Sequence, residues 1–86
     1  MNRADEIRKE ILFQAYALRP LHVSASRIHR SCLKQQMDFS EVEIKRELPF
    51  LVGEELLERV VEPGVTELHF TISAKGVRHY EQNFAA

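Results

Sequence analysis

Apolar residues recur at helical spacing from the start of the chain. Ala4, Ile7, Ile11, Ala15 and Leu18 fall on one side, and Arg3, Asp5, Glu6, Arg8, Lys9 and Glu10 fill the others. This pattern predicts an amphipathic first helix from Asn2 to Leu18. Asn2 is placed to cap it, and Arg19-Pro20 stops it because proline lacks a donor and disfavours helix at the preceding residue. Leu21, His22 and Val23 are few and extended, enough for a stub of edge strand. Ser24 or Ser26 then caps a second helix to about Gln36, with Ala25, Ile28, Cys32 and Leu33 on one side and Arg27, Arg30 and Lys34 exposed.

The third helix has the clearest start. Ser40 and Glu43 stand at capping-box spacing, with Phe39 and Ile44 where a hydrophobic staple would close. Ile44, Leu48 and Leu51 form its buried stripe, and Gly53 is the expected left-handed exit. Pro49 falls inside it and is expected to kink or loosen it, since the bond to the Lys45 carbonyl is lost. The next apolar pattern has period two. Leu56 to Val61 reads as a strand, and Glu67 to Ile72 as a second, with Leu68, Phe70 and Ile72 inward and Glu67, His69 and Thr71 outward. Glu62-Pro63-Gly64 between them is turn chemistry. Ser73 caps a last short helix whose Val77, Tyr80 and Phe84 are spaced to lie on the core.

The resulting order is helix, stub, helix, helix, strand, strand, helix. This order, with EIKRELPFLVGEELLERV running from third helix to first strand and TISAKG closing the second, resembles winged helix-turn-helix proteins such as the MarR, PadR and ArsR-like groups. The resemblance runs from about Ile7 to Tyr80. It implies an α+β domain with a three-helix core, a two-stranded wing with an edge-strand stub, and a short C-terminal helix. Double-stranded DNA is the implied partner, read by the third helix. The winged-helix pattern places a glycine immediately before the first apolar pair of the wing strand. Here Glu55 holds that place and Gly53 comes two residues earlier, so the exit from the third helix is expected to be rebuilt.

Charge changes this picture. The chain of 86 residues carries a net charge of −1, so no global field draws it to a polyanion. Over residues 41 to 52, three glutamates outnumber one lysine and one arginine, and the segment from Glu58 to Glu67 totals −2. The best phosphate-binding group is instead the second helix, where Ser24, Ser26, Arg27, Arg30 and Lys34 combine +3 with a helix N-terminus. Glu43, Lys45 and Arg46 are the residues expected near bases. The competing reading is a protein-interaction module using Val42, Arg46, Pro49 and Phe50 with the acidic wing. In that reading Phe50 faces solvent, whereas a phase shift at Pro49 would turn it into the core.

Size excludes a substrate domain beside this one and argues against a built-in enzyme. Residues 1 to 86 read as one domain that acts alone, as a subunit, or as a homodimer through the terminal helix around Tyr80 and Phe84. The single cysteine, Cys32, permits no internal disulfide, and no apolar run has membrane-spanning length, so a soluble cytoplasmic chain is expected. His22, His29 and Cys32 lack the converging spacing of a metal site, and no motif calls for a cofactor.

Overall fold

The computed structural model describes residues 2–84 as an α+β arrangement of four helices and a three-stranded antiparallel sheet. The elements are α1 (Arg3–Ala17), β1 (Val23–Ser24), α2 (Ala25–Lys34), α3 (Glu41–Gly53), β2 (Leu57–Val60), β3 (His69–Ile72) and α4 (Ala74–Asn83). No helix among the described residues is long and apolar enough to cross a membrane.

Each helix starts on the side chain expected of it. Asn2 accepts from the Asp5 N–H at 2.8 Å and Ser24 from the Arg27 N–H at 3.3 Å. Ser40 and Glu43 exchange both bonds of the capping box at 3.1 Å. Ser73 accepts from the Gly76 N–H at 2.9 Å and donates to the Glu55 carbonyl at 2.6 Å, joining the start of α4 to the end of α3. These caps satisfy donors that a helix leaves open at its first turn.

The exit of α3 is not where sequence put it. Gly53 is the last helical residue, and the left-handed residue is Glu55, at φ 64. Leu56 N–H bonds the Leu51 carbonyl at 3.0 Å and Glu55 N–H bonds that of Val52 at 2.9 Å, which is a Schellman motif with glutamate in glycine's usual place. The rebuilt exit therefore keeps the usual backbone geometry and strains a side-chain-bearing residue to do so. Gln36, at φ 60, closes α2 in the same way. Helix α3 runs on through Pro49 to Gly53.

In the sheet, β3 lies between β1 and β2, pairing Val23 with Phe70 on one side and Arg59 with Phe70 on the other. Glu62 to Val65 form the tip, with the Val65 N–H on the Glu62 carbonyl at 3.2 Å and Gly64 at φ 80, as a type II turn with Pro63 first requires. The core is built from Ile7, Ile11 and Leu12 of α1, Ile28 and Cys32 of α2, Ile44, Leu48 and Leu51 of α3, and Val23, Leu57 and Phe70 of the sheet.

Two residues expected inside are outside. Leu33 is 57% exposed, because it lies about 100° beyond Cys32 and α2 ends one residue later. Leu68 is 53% exposed, because pairing stops at His69 on both edges of β3 and nothing holds the alternation beyond it. Tyr80 is buried against Phe13, Tyr16 and Phe84, so it is part of the packing rather than a free contact of the terminal helix.

Candidate nucleic-acid interface

Helix α3 is acidic in composition but not on its open side. Its positions 42, 45, 46 and 49 share one stripe at helical spacing, and Val42, Lys45, Arg46 and Pro49 are all exposed there. Glu43 and Glu47 point to the opposite flank, where α1 supplies their partners. Arg3 grips Glu43 with two donors, Nε at 2.5 Å and Nη2 at 3.1 Å, and its Nη1 reaches Asp38 at 3.4 Å. Arg8 Nε donates to the Glu47 carboxylate at 2.6 Å, and that carboxylate is buried. The Arg3 hydrogen bond, followed by the Ser40 backbone N–H, lowers the Glu43 carboxyl to about 2 and holds it charged.

Of the expected base-proximal set, then, Lys45 and Arg46 stand on the open face while Glu43 is engaged by Arg3 and Ser40. Lys45 Nζ pairs with Glu41 at 3.2 Å, one turn back. Arg46 has no carboxylate within 4.0 Å among the described residues. Phe50 takes an intermediate course. It is 43% exposed on the α1 flank, and the Arg8 guanidinium lies 3.6 Å above its ring. The set Val42, Arg46, Pro49 and Phe50 is thereby divided: the first three share the open stripe, and Phe50 is roofed by a cation.

The α2 group is divided too. Ser24 is buried as the helix cap, and Ser26 donates to the Glu67 carboxylate at 2.5 Å. That hydroxyl is the main cause of the lowered Glu67 carboxyl, so the N-terminus of α2 already faces an anion of the same chain. Both serines expected to hold phosphate are occupied internally. Arg27, Arg30 and Lys34 remain exposed with no carboxylate within 4.0 Å among the described residues, and they border a shallow hollow with Gln14 of α1 and Leu18 just beyond its end. Lys45 and Pro49 border a different groove, of about 350 Å³, between α3 and the β2–β3 loop, with Leu48, Leu68 and Phe70 along it. The exposed cations thus stand on two separate elements, Arg27, Arg30 and Lys34 on α2 and Lys45 and Arg46 on α3.

The β2–β3 segment repeats the sorting seen on α3. Glu62 lies 2.8 Å from His22 Nδ1, and Glu67 is held by Ser26, so two of its acids are drawn back to the body. Arg59 is left exposed on β2. Its register opposite Phe70 places it on the sheet face shared with Val23 and Phe70. The negative sum of the segment masks this cation in sequence, and alternation, which puts Arg59 on the face of the buried Leu57, gives no sign of its exposure. The α1 arginines were also passed over as partners of α3. Their spacing of five residues nearly matches the four between Glu43 and Glu47, which becomes legible only when the two helices are known to lie side by side.

Among the described residues no three His, Cys, Asp or Glu side chains converge as a metal site. Cys32 is buried, and burial pushes its thiol up from the ordinary value. Comparison with protein-family models, curated proteins and solved structures finds no match to this chain.

Proposed function

We propose that the chain is a winged helix-turn-helix domain that binds duplex DNA as a transcriptional or accessory regulator, with α3 entering the major groove and the β2–β3 hairpin acting as the wing. The observation that carries this reading is the pairing of Glu43 and Glu47 with Arg3 and Arg8. It removes the main electrostatic objection to α3. What α3 offers outward is Val42, Lys45, Arg46 and Pro49, with Glu41 already paired to Lys45. Lys45 and Arg46 serve bases or adjacent phosphates, and Arg59 serves the backbone beside the wing. Arg27, Arg30 and Lys34 add phosphate contacts on the α2 flank. Affinity from such contacts falls steeply with salt, because each neutralised phosphate releases counterions.

Fluorescence anisotropy with mixed-sequence duplex DNA tests this. With about five phosphate contacts, a fourfold rise in salt weakens binding by about 10²–10³-fold. The Lys45→Glu, Arg46→Glu variant is expected to lose binding, and the Arg27→Ala, Arg30→Ala, Lys34→Ala variant to flatten the salt slope by about three contacts. No anisotropy change at low salt would sink the reading.

A second reading is favoured by one observation. The groove of about 350 Å³ beside α3 is walled mainly by apolar side chains, and both Val42, 66% exposed, and Leu68 stand open near its elements. Such a surface suits a protein partner. In that case Val42→Lys abolishes partner capture while DNA is never bound at any salt.

A further inference from the structure

We propose that Glu67 is a built-in gate on a phosphate site at the start of α2, closed in this structure and opened when a phosphate group, here a phosphodiester of duplex DNA, displaces its carboxylate. The identity of the ligand rests on the DNA reading; the geometry of the gate does not.

The site forms where β1 runs straight into α2. Ser24 caps the helix by accepting from the Arg27 N–H, and the Ser26 N–H belongs to the first turn, which has no helical acceptor for it. The register that sets Val23 against Phe70 and Ser24 against His69 carries Glu67, two residues before His69, to Ser26, two residues after Ser24. There the Ser26 hydroxyl donates to the Glu67 carboxylate at 2.5 Å and lies 3.2 Å from the Ser24 hydroxyl. The Ser26 hydroxyl, then the Ser26 N–H and the Ser24 hydroxyl, hold the Glu67 carboxyl below its ordinary value, and His69 adds a smaller share. An anion brought from forty-one residues away therefore sits where the helix start favours negative charge.

A phosphodiester oxygen takes the same donors as a carboxylate oxygen, and both groups are anionic, so the site holds one of them at a time. Glu67 is placed to give way. Its side chain is exposed, so exchanging the Ser26 hydroxyl for water costs little. Residues 61 to 68, which carry it, lie between the strands, and their other charged tie to the body among the described residues is Glu62 on His22 at 2.8 Å. Glu67 and Ala25 also border the groove that Lys45 lines from α3, and Lys45 is paired with Glu41 rather than with Glu67. A DNA backbone lying along α3 passes this site and meets a carboxylate in it. Binding is then weaker than the donors alone would give.

Anisotropy with duplex DNA at low salt and an amide titration with inorganic phosphate test the gate together. Glu67→Ala, which alters an exposed side chain, is expected to tighten DNA binding about fivefold. In a Ser26→Ala background the same change is expected to bring less than about a twofold gain, because the site has lost its hydroxyl. In Glu67→Ala the amide resonances of Ser26 and Arg27 shift saturably with inorganic phosphate, at concentrations that leave wild type unmoved. Equal DNA affinity of wild type and Glu67→Ala overturns the proposal. So does a gain that persists in full without Ser26, which is the mark of charge repulsion alone. If neither chain binds duplex, the DNA reading fails and the phosphate titration decides the gate by itself. A response confined to Glu67→Ala then keeps the gate with the free ion as its ligand, and identical responses in the two chains overturn it.

Discussion

At its N-terminal half α3 is tied to α1 by arginine–glutamate pairs that reach through partly solvated space. At its C-terminal end it is tied to β2 and α4 by backbone groups in direct contact. The first region works by charge: Arg3 holds Glu43, and Arg8 holds Glu47 while covering Phe50. The second works by fit: Ser73 Oγ donates to the Glu55 carbonyl, the Ser73 N–H meets the Leu56 carbonyl at 3.1 Å, and Gly76 packs directly over that carbonyl. The difference teaches where the domain tolerates change. Charge contacts bend and respond to salt and acid, whereas a close backbone approach has no slack.

The largest expected effect falls on the fitted end. A Cβ added at Gly76 would come 2.1 Å from the Leu56 carbonyl oxygen and 2.7 Å from Ile72 Cγ1, and the first of these is backbone that cannot step aside. Gly76→Ala is expected to cost about 3 kcal/mol in urea unfolding, with little dependence on salt. A variant close to wild type would mean that α4 shifts freely and that the fitted end is not rigid.

On the charged end, Arg8→Ala leaves the buried Glu47 carboxylate without its donor and uncovers Phe50. A loss of about 2 kcal/mol is expected, less than for a fully buried pair because Arg8 is partly solvated. The unpaired cations of α2 supply the contrast. Arg27→Ala is expected to stay within about 0.5 kcal/mol of wild type in the same experiment.

A smaller effect of opposite sign tests the strained exit. Glu55→Gly relieves a left-handed residue at the cost of a freer unfolded chain, and a net gain of about 0.5–1 kcal/mol is expected as a higher urea midpoint. Destabilisation would show that the Glu55 side chain contributes something the backbone geometry does not reveal.

The smallest effect is a pH dependence on the charged end. The Glu43 carboxyl is lowered in the folded chain from 4.5 to about 2, so the native state holds the proton less tightly than the unfolded state. Its contribution is present in full above the unfolded value and is lost as pH falls through the window from 4.5 to about 2. Thermal midpoints of wild type and Glu43→Gln are therefore expected to converge as pH is lowered through that window. A constant gap would mean that the Arg3 contact does not set the carboxyl's affinity for protons.

Helix starts were legible because a cap is a local device. Asn2, Ser24, Ser40 and Ser73 each bond within three residues, and sequence spacing is enough to find such bonds. The turn at Pro63-Gly64 was legible for the same reason. Strand length was not, since β3 starts only where both neighbours begin to pair, and Leu68, one residue before it, has no partner to hold it to the alternation. The candidate interface was the least legible part. Glu43 suits a base edge and Ser26 a phosphate only as free side chains, and Arg3 and Glu67, about forty residues away in each case, engage them.

Sequence by itself determined the order of elements, their caps, the stripe of Ile44, Leu48 and Leu51, and the positions where cations stand. All of these follow from backbone periodicity and from bonds that span a few residues. Only the tertiary structure decided which charges remain outward. That depends on which helix lies beside which, and a carboxylate on α3 counts as surface charge or as an internal contact according to whether an arginine of α1 stands within reach.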